Sequence, residues 1–373
     1  MTDTTPLVRL VPEHVKRFEA YIPSKPDEEL MKLYGCPRLF RLNNNENALG
    51  PPPAAQEVIR QFPPPRGAIY PSGDSYHLRL RLAGRFGLEP DQFLVGNGAN
   101  EVIAFVIKAF CQEGDNIVTA DKTFAVYEWI AAFSGFQARL APLRDFGFDE
   151  TGMLERIDER TKILFVCNPN NPTGRWWSET RLRAFLDRVA GRQIVVVDEA
   201  YGEFVEHADF PDGMRLIREY PNLIVFRTFS KMYALAGLRV GYLAGSREVV
   251  DIVRRTCVVY SVNILGQAAA LAALDNDREH ILRTRELVRR GKAFLTREIG
   301  LLGLPLVMGE GNFAMIKLPI SDSLAYRRLM ARGVMIRSMT GFRFPNWIRV
   351  TIAQDEAMEA FVEALTALVR QSR

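Results

Sequence analysis

Between residues 90 and 245 the chain repeats one pattern: a short apolar run, a polar turn, then a stretch with helical spacing. The runs are 92–95, 116–119, 162–166, 193–197 and 222–226, with 241–244 as a further strand. A strand with one wet face alternates polar and apolar residues, whereas a strand covered on both faces reads as unbroken apolar sequence. These runs barely alternate. The pattern therefore predicts an α/β fold, a three-layer and mostly parallel sheet with helices on both faces. From about residue 262 the period becomes helical, from Gly266 through the charged 277–298 segment. A smaller α+β unit follows, with strands at 312–317, 334–337 and 347–350 and a final helix from about 354. Upstream, residues 12–36 read as a polar arm with one amphipathic helix at 26–34, capped by Asp27 and stopped at Gly35. A loop rich in Asn, Gly and Pro spans 43–53, and a helix lies near 54–61. The predicted organisation is an arm at 1–42 packing with the small domain, a large domain at 43–265 and a small domain at 266–373.

Composition narrows the function classes. A chain of 373 residues suits two domains or one large one. Its net charge of +4 is spread along the sequence with no basic run, which argues against a nucleic-acid partner. Four cysteines (Cys36, Cys111, Cys167, Cys257) stand far apart without a CxxC pair, and the histidines are isolated, so no metal site is expected. Reduced thiols point to a cytoplasmic protein. No uncharged apolar run approaches the length of a membrane span, and the opening Met1-Thr-Asp-Thr-Thr-Pro lacks the basic and apolar regions of a leader.

Ligands of open parallel sheets bind at the carboxyl ends of the strands, so chemistry is sought there. The run 222–226 leads to Thr228-Phe-Ser230-Lys231, with Arg239 eight residues further on. In a dry pocket beside other cations a lysine loses its proton and can condense with an aldehyde. An arginine offers a fixed fork of donors to a phosphate. Aldehyde capture beside phosphate capture is what pyridoxal 5'-phosphate requires. The run 193–197 leads to Asp198, and a buried anion there keeps a pyridine nitrogen protonated; Tyr201 can reach a ring hydroxyl. The run 162–166 leads to Asn171, held in a turn with Pro172, Thr173 and Gly174. The run 92–95 leads to Gly98, Ala99 and Asn100 before a helix, where exposed N–H groups attract an anion. Glu101 stands where a dinucleotide fingerprint needs its third glycine, which disfavours a nicotinamide enzyme. After 116–119 come Phe124, Tyr127 and Trp129, any of which can stack on a planar ring. Singly, these are a solvated lysine, a capping acid, a ligand-free turn and core aromatics. Jointly, four strand ends supply the groups of one cofactor.

Taken together the chain resembles the fold-type-I aminotransferases that use pyridoxal 5'-phosphate, and more closely their histidinol-phosphate aminotransferase branch. The resemblance rests on Asn45-Glu46-Asn47-x-Leu-Gly50, Tyr70-Pro71, Asn170-Asn-Pro-Thr-Gly174, Asp198-Glu-Ala-Tyr201, Thr228-x-Ser-Lys231 with Arg239, and Ile348-Arg349-Val350, and it covers nearly the whole chain. It implies that Lys231 is the Schiff-base lysine and proton shuttle, Asp198 the pyridinium partner, and Asn171 and Tyr201 the partners of the ring hydroxyl. It further implies a phosphate cup of Ala99, Asn100, Thr228, Ser230 and Arg239, with Gly98 before it and Phe124 on the ring face. Tyr70 matches a tyrosine given to the neighbour's phosphate across a homodimer interface. Arg349 matches the arginine for the substrate α-carboxylate, Arg337 a second anion-binding arginine, with Asn171 and Tyr70 beside the substrate. The implied reaction takes a small-molecule amino donor and a keto acceptor, histidinol phosphate with 2-oxoglutarate, in histidine biosynthesis. An aromatic amino-acid aminotransferase and a decarboxylase of a phosphorylated amino acid, such as threonine phosphate, share these motifs. The sequence departs from the branch at Ala48, at Tyr70-Pro-Ser-Gly-Asp74 and at Asp121-Lys-Thr-Phe124, all near where substrate choice is made.

Overall fold

A computed structural model describes residues 6–18 and 25–371; the opening Met1-Thr-Asp-Thr-Thr and arm residues 19–24 lie outside the described residues. In chain order the strands are β1 (Phe40–Arg41), β2 (Phe93–Gly96), β3 (Asn116–Ala120), β4 (Gln137–Ala141), β5 (Thr161–Cys167), β6 (Ile194–Asp198) and β7 (Leu223–Thr228). They continue with β8 (Gly241–Ala244), β9 (Leu306–Met308), β10 (Phe313–Lys317), β11 (Val334–Met335), β12 (Arg337–Ser338) and β13 (Trp347–Thr351). Seven of them form one sheet in the order β2-β8-β7-β6-β5-β3-β4, in which only β8 runs antiparallel to its neighbours. Val195, Val196, Val197 and Ile163, Leu164, Phe165 have no exposed surface, because helices cover both faces of β5 and β6. Each fully buried side chain of this size contributes roughly 1.5–3 kcal/mol relative to exposure.

The register delivers several segments to one place. Gly241, at the start of β8, pairs with Gly96 at the carboxyl end of β2 and with Thr228 at the carboxyl end of β7. Cys167 and Asp198 pair at the ends of β5 and β6. The segments that follow β2, β5, β6 and β7 therefore open onto the same sheet edge.

The second unit is a four-stranded antiparallel sheet, β12-β13-β10-β9. The run expected as one strand at 334–337 is broken at Ile336. Its first half pairs in parallel with β1, and its second half pairs with β13. The helical stretch after 262 is likewise two helices, Ile264–Ala273 and Arg278–Leu302. In the arm, Asp27 is the first helical residue and Pro26 holds the cap position, since proline's missing N–H is harmless there; Gly35 ends the helix in the left-handed region at φ 66°. The arm touches both units. Leu30 packs with Met330 and Met335 of the small sheet's layer, and Arg38 forms an ion pair with Glu356. The Phe18 ring meets Phe133 on the large sheet's side. No helix among the described residues is long and apolar enough to cross a membrane, and no group of His, Cys, Asp or Glu there is arranged to hold a metal ion.

Candidate active site

A cavity of about 1100 Å³ opens where the ends of β5, β6 and β7 face β12 and the loop after it. Twelve of the residues expected to hold cofactor or substrate line it: Ala99, Asn100, Phe124, Asn171, Asp198, Tyr201, Thr228, Ser230, Lys231, Arg239, Arg337 and Arg349. Gly98 sits behind the wall. Tyr70 does not reach the cavity; it is 82% exposed, and its ring lies 4.9 Å from that of Tyr260.

Lys231 projects from the turn after β7, and its Nζ donates to the backbone carbonyl of Asn44 at 2.7 Å. Burial lowers its pKa to about 7, helped by the guanidinium groups of Arg349 and Arg239 and opposed by Glu46 and Asp198. Near neutrality this amine is thus available as a nucleophile or base. Asp198 ends β6 and is 3% exposed. Its Oδ2 accepts from the Tyr127 hydroxyl at 2.5 Å and its Oδ1 from the N–H of Ala200 at 3.0 Å. Burial raises its pKa, and the Tyr127 and Ala200 bonds and the Lys231 charge act against that rise. Tyr127, one of the three aromatics readable as a stacking ring or as core, is fully buried, stacked on Phe165 at 4.7 Å and bonded to Asp198. Phe124, set edge-on to Tyr127, lines the cavity, and Trp129 lines it too, half exposed.

The Tyr201 hydroxyl accepts from Asn45 Nδ2 at 2.8 Å, and burial pushes its pKa up to about 12. It therefore stays a neutral hydroxyl that can still donate. The helix Ala99–Phe110 starts at the cavity with no side-chain cap, leaving first-turn N–H groups directed at it. Two glycines make the close approach possible. Gly98 has φ 80°, and a Cβ there would overlap the Arg239 guanidinium; a Cβ on Gly241 would lie 2.8 Å from the backbone nitrogen of Ala99. Ser230 and Thr228 complete this corner, the Ser230 N–H donating to Thr228 Oγ1 at 3.1 Å.

On the opposite wall, Arg349 of β13 stands directly across from Arg337 of β12, so both side chains leave the same face of the small sheet. Arg349 is 4% exposed. Its Nη1 donates to Asn171 Oδ1 at 2.5 Å and its Nη2 to the carbonyl of Asn43 at 2.7 Å. With its carbonyl engaged, Asn171 has its NH₂ group left to offer the cavity. Arg349 Nε is buried without a partner among the described residues. Burial lowers the Arg349 pKa to about 10, and Arg337 adds to the fall. A buried cation with an unused donor beside a second cation is a site built for an anion. Sequence reasoning missed the backbone acceptors Asn43 and Asn44, since a carbonyl leaves no side-chain signature. It also missed Tyr127 as the partner of Asp198.

The chain belongs to the aminotransferase class I and II family, whose family model matches residues 37–365. It is 38% identical over 358 residues to the histidinol-phosphate aminotransferase of Anaeromyxobacter sp. (strain Fw109-5), covering 95% of this chain and 98% of that protein. It is 40% identical over 353 residues to the histidinol-phosphate aminotransferase of Symbiobacterium thermophilum, covering 95% and 97%. The crystal structure of histidinol-phosphate aminotransferase from Sinorhizobium meliloti in complex with pyridoxal-5'-phosphate superposes with a TM-score of 0.85 at 25% identity, over 100% of this chain and 99% of that one. Aspartate aminotransferase from Thermus thermophilus with maleate shares the fold, with a TM-score of 0.83 at 23% identity over 96% of this chain and 99% of that one. The expected three-layer α/β fold and fold-type-I resemblance thus stand.

Proposed function

We propose that this protein is a pyridoxal-5'-phosphate-dependent aminotransferase of histidine biosynthesis, interconverting histidinol phosphate and 2-oxoglutarate with imidazole acetol phosphate and glutamate. The observation that carries the substrate reading is the pairing of Arg337 with Arg349 across β12 and β13, both lining the cavity that Lys231 lines. A transferase of this kind must accept a dicarboxylate and a phosphate ester in turn. Two guanidinium groups serve both, because each anion offers paired oxygens to a fork of donors.

The donor set fits the cofactor. Lining one cavity, Lys231 would hold its aldehyde carbon, Asp198 its ring nitrogen, Tyr201 and Asn171 its ring hydroxyl, and Phe124 its ring face. Ala99, Asn100, Thr228, Ser230 and Arg239 are the group for its phosphate, in the corner that Gly98 and Gly241 keep open. When bound, the cofactor supplies an electron sink for negative charge at the substrate Cα. Lys231 Nζ, with a large fraction neutral near pH 7, would take up and return the Cα proton. Arg349 would bind the α-carboxylate of an amino acid with the guanidinium N–H groups that Asn171 and Asn43 leave free and so orient Cα toward Lys231, and Asp198, braced by Tyr127, would supply the negative charge beside the ring nitrogen.

Competition kinetics test the substrate. Histidinol phosphate should exceed phenylalanine and tyrosine in kcat/KM, and substrates that carry an α-carboxylate, glutamate and threonine phosphate, should give keto acids with no carbon dioxide released. An aromatic amino acid outrunning histidinol phosphate would remove the substrate assignment and leave the transaminase, and carbon dioxide release would replace the transaminase by a decarboxylase.

The active unit in this reading is a homodimer with composite sites, in the cytoplasm, where the four free cysteines stay reduced. Supporting it, Ile69, Tyr70, Val258, Val259 and Tyr260 leave large apolar surface exposed along one region. An interface of this class buries upwards of roughly 2,000 Å², so sedimentation should find a dimer at assay concentration. Tyr70→Phe should weaken cofactor affinity while leaving the dimer intact. A fully active monomer would refute the shared site, and unchanged affinity in Tyr70→Phe would remove its phosphate contact.

A further inference from the structure

The loop between the two arginine strands is gathered onto one carboxylate. Asp322, in the first turn of the helix Asp322–Met330, is 2% exposed and lies outside the cavity. Its Oδ2 accepts from the Ser338 hydroxyl and from the N–H groups of Met339 at 2.9 Å and Thr340 at 2.8 Å. Its Oδ1 accepts from the Thr340 hydroxyl at 2.7 Å and the N–H of Asn346 at 3.2 Å. The helix does not need this acid as a cap: Ser321 holds that position and accepts from the Leu324 N–H. Burial alone would raise the Asp322 pKa, and the Ser338 and Thr340 donors outweigh it and hold the carboxyl below its usual value. It is ionised at neutral pH.

Those donors bracket the part of the loop that faces substrate. Ser338 follows Arg337 directly, and Asn346 precedes β13, which carries Arg349. Between them, the Phe342 ring lies 5.9 Å from the guanidinium carbon of each arginine. Arg349 is held by Asn171 and Asn43, whereas among the described residues no carboxylate pairs with Arg337. Its position relative to Arg349 therefore depends on the backbone that Asp322 ties down.

Building on the function proposed above, we propose that Asp322 is a positioning residue that fixes Arg337 and Phe342 against Arg349, so that the site selects substrates whose anions engage both guanidinium groups: glutamate through its two carboxylates and histidinol phosphate through its phosphate oxygens. It touches no substrate; it acts through Arg337.

The test compares holoenzyme half-reactions, followed by cofactor absorbance, with glutamate, histidinol phosphate and alanine. Alanine has no distal anion and uses Arg349 alone. Asp322→Ala should raise KM for glutamate and histidinol phosphate by about tenfold with kcat nearly unchanged, and leave kcat/KM for alanine as it was. Asp322→Asn, which keeps an acceptor oxygen, should recover part of that loss. The double variant Ser338→Ala/Thr340→Val removes donors and keeps the acid; it should reproduce the split, and it carries the test where Asp322→Ala does not fold. Equal losses on alanine and glutamate, or no rise in KM for either glutamate or histidinol phosphate, would overturn the assignment. A wild-type protein that rejects histidinol phosphate would sink the function proposed above, and the comparison of glutamate with alanine would still read Asp322.

Discussion

Replacing Lys231 with alanine should cost at least ~10²–10⁴ in kcat, the range for removing a positioned acid–base group. Cofactor binding through the phosphate corner and Asp198 should persist. The argument starts from the amine itself. In water a lysine near pH 7 is almost wholly protonated and can neither attack a carbonyl nor accept a proton. Burial and the charges of Arg349 and Arg239 bring Lys231 to about 7, so a large fraction is neutral at working pH. The sign follows: reactivity toward an aldehyde should rise as pH passes through about 7, where an exposed lysine would begin to react only some three units higher. Borohydride treatment of the holoprotein should fix the cofactor on the peptide that contains Lys231. Label on Lys122, which forms an ion pair with Asp121, or on the exposed Lys317 would remove the assignment. The coupling can be read separately. Since Arg349 holds the lysine down, Arg349→Ala should move the midpoint to higher pH; a midpoint that stays put would mean that burial alone sets it.

The same logic explains which parts of the molecule could be read before its fold was known. Strands β5, β6 and β7 are buried on both faces, so each leaves an unbroken apolar run, and the first polar residues after each run fall at the sheet edge where Asn171, Asp198 and Lys231 stand. β4 escaped because it is the sheet's edge strand, half-exposed, with Gln137 and Arg139 interrupting its apolar positions. β1 and β9 escaped because runs of two or three residues carry no period. The break at Ile336 that sets Arg337 opposite Arg349 is a tertiary fact: one half of the run finds β1 and the other finds β13. Tyr127 reads in the sequence as a stacking ring or a core aromatic, and only the packing that brings its hydroxyl to an acid 71 residues away shows it to be a brace. Asp322 is similar, since a serine followed by an acid before a helix is ordinary capping sequence until the donors of the loop are found converging on it.

Arg349→Ala should lower kcat/KM for glutamate by about two decades or more. Truncating one partner of a buried, hydrogen-bonded charge contact costs ~2–5 kcal/mol, and each 1.4 kcal/mol or so is a factor of ten. Arg349 meets those conditions: it is 4% exposed, two of its nitrogens are committed to Asn171 and Asn43, and the third is buried and unused. Its removal takes away the carboxylate's partner and leaves the Asn171 and Asn43 oxygens without their donor. Arg349→Lys should recover only a small part, because an ammonium restores the charge and cannot bridge Asn171, Asn43 and a carboxylate in one plane. Arg337→Ala should behave differently. Arg337 is half-buried, so its loss should fall on substrates with a distal anion, and on the phosphate ester at least as heavily as on glutamate. The two variants thus divide the site by kinetics. Loss of Arg349 should weaken every amino-acid substrate, since each carries an α-carboxylate or an anion in its place, whereas loss of Arg337 should spare alanine. An Arg349→Ala enzyme within threefold of wild type on glutamate would show that the carboxylate is held elsewhere. The buried, unused donor of Arg349 would then need another occupant.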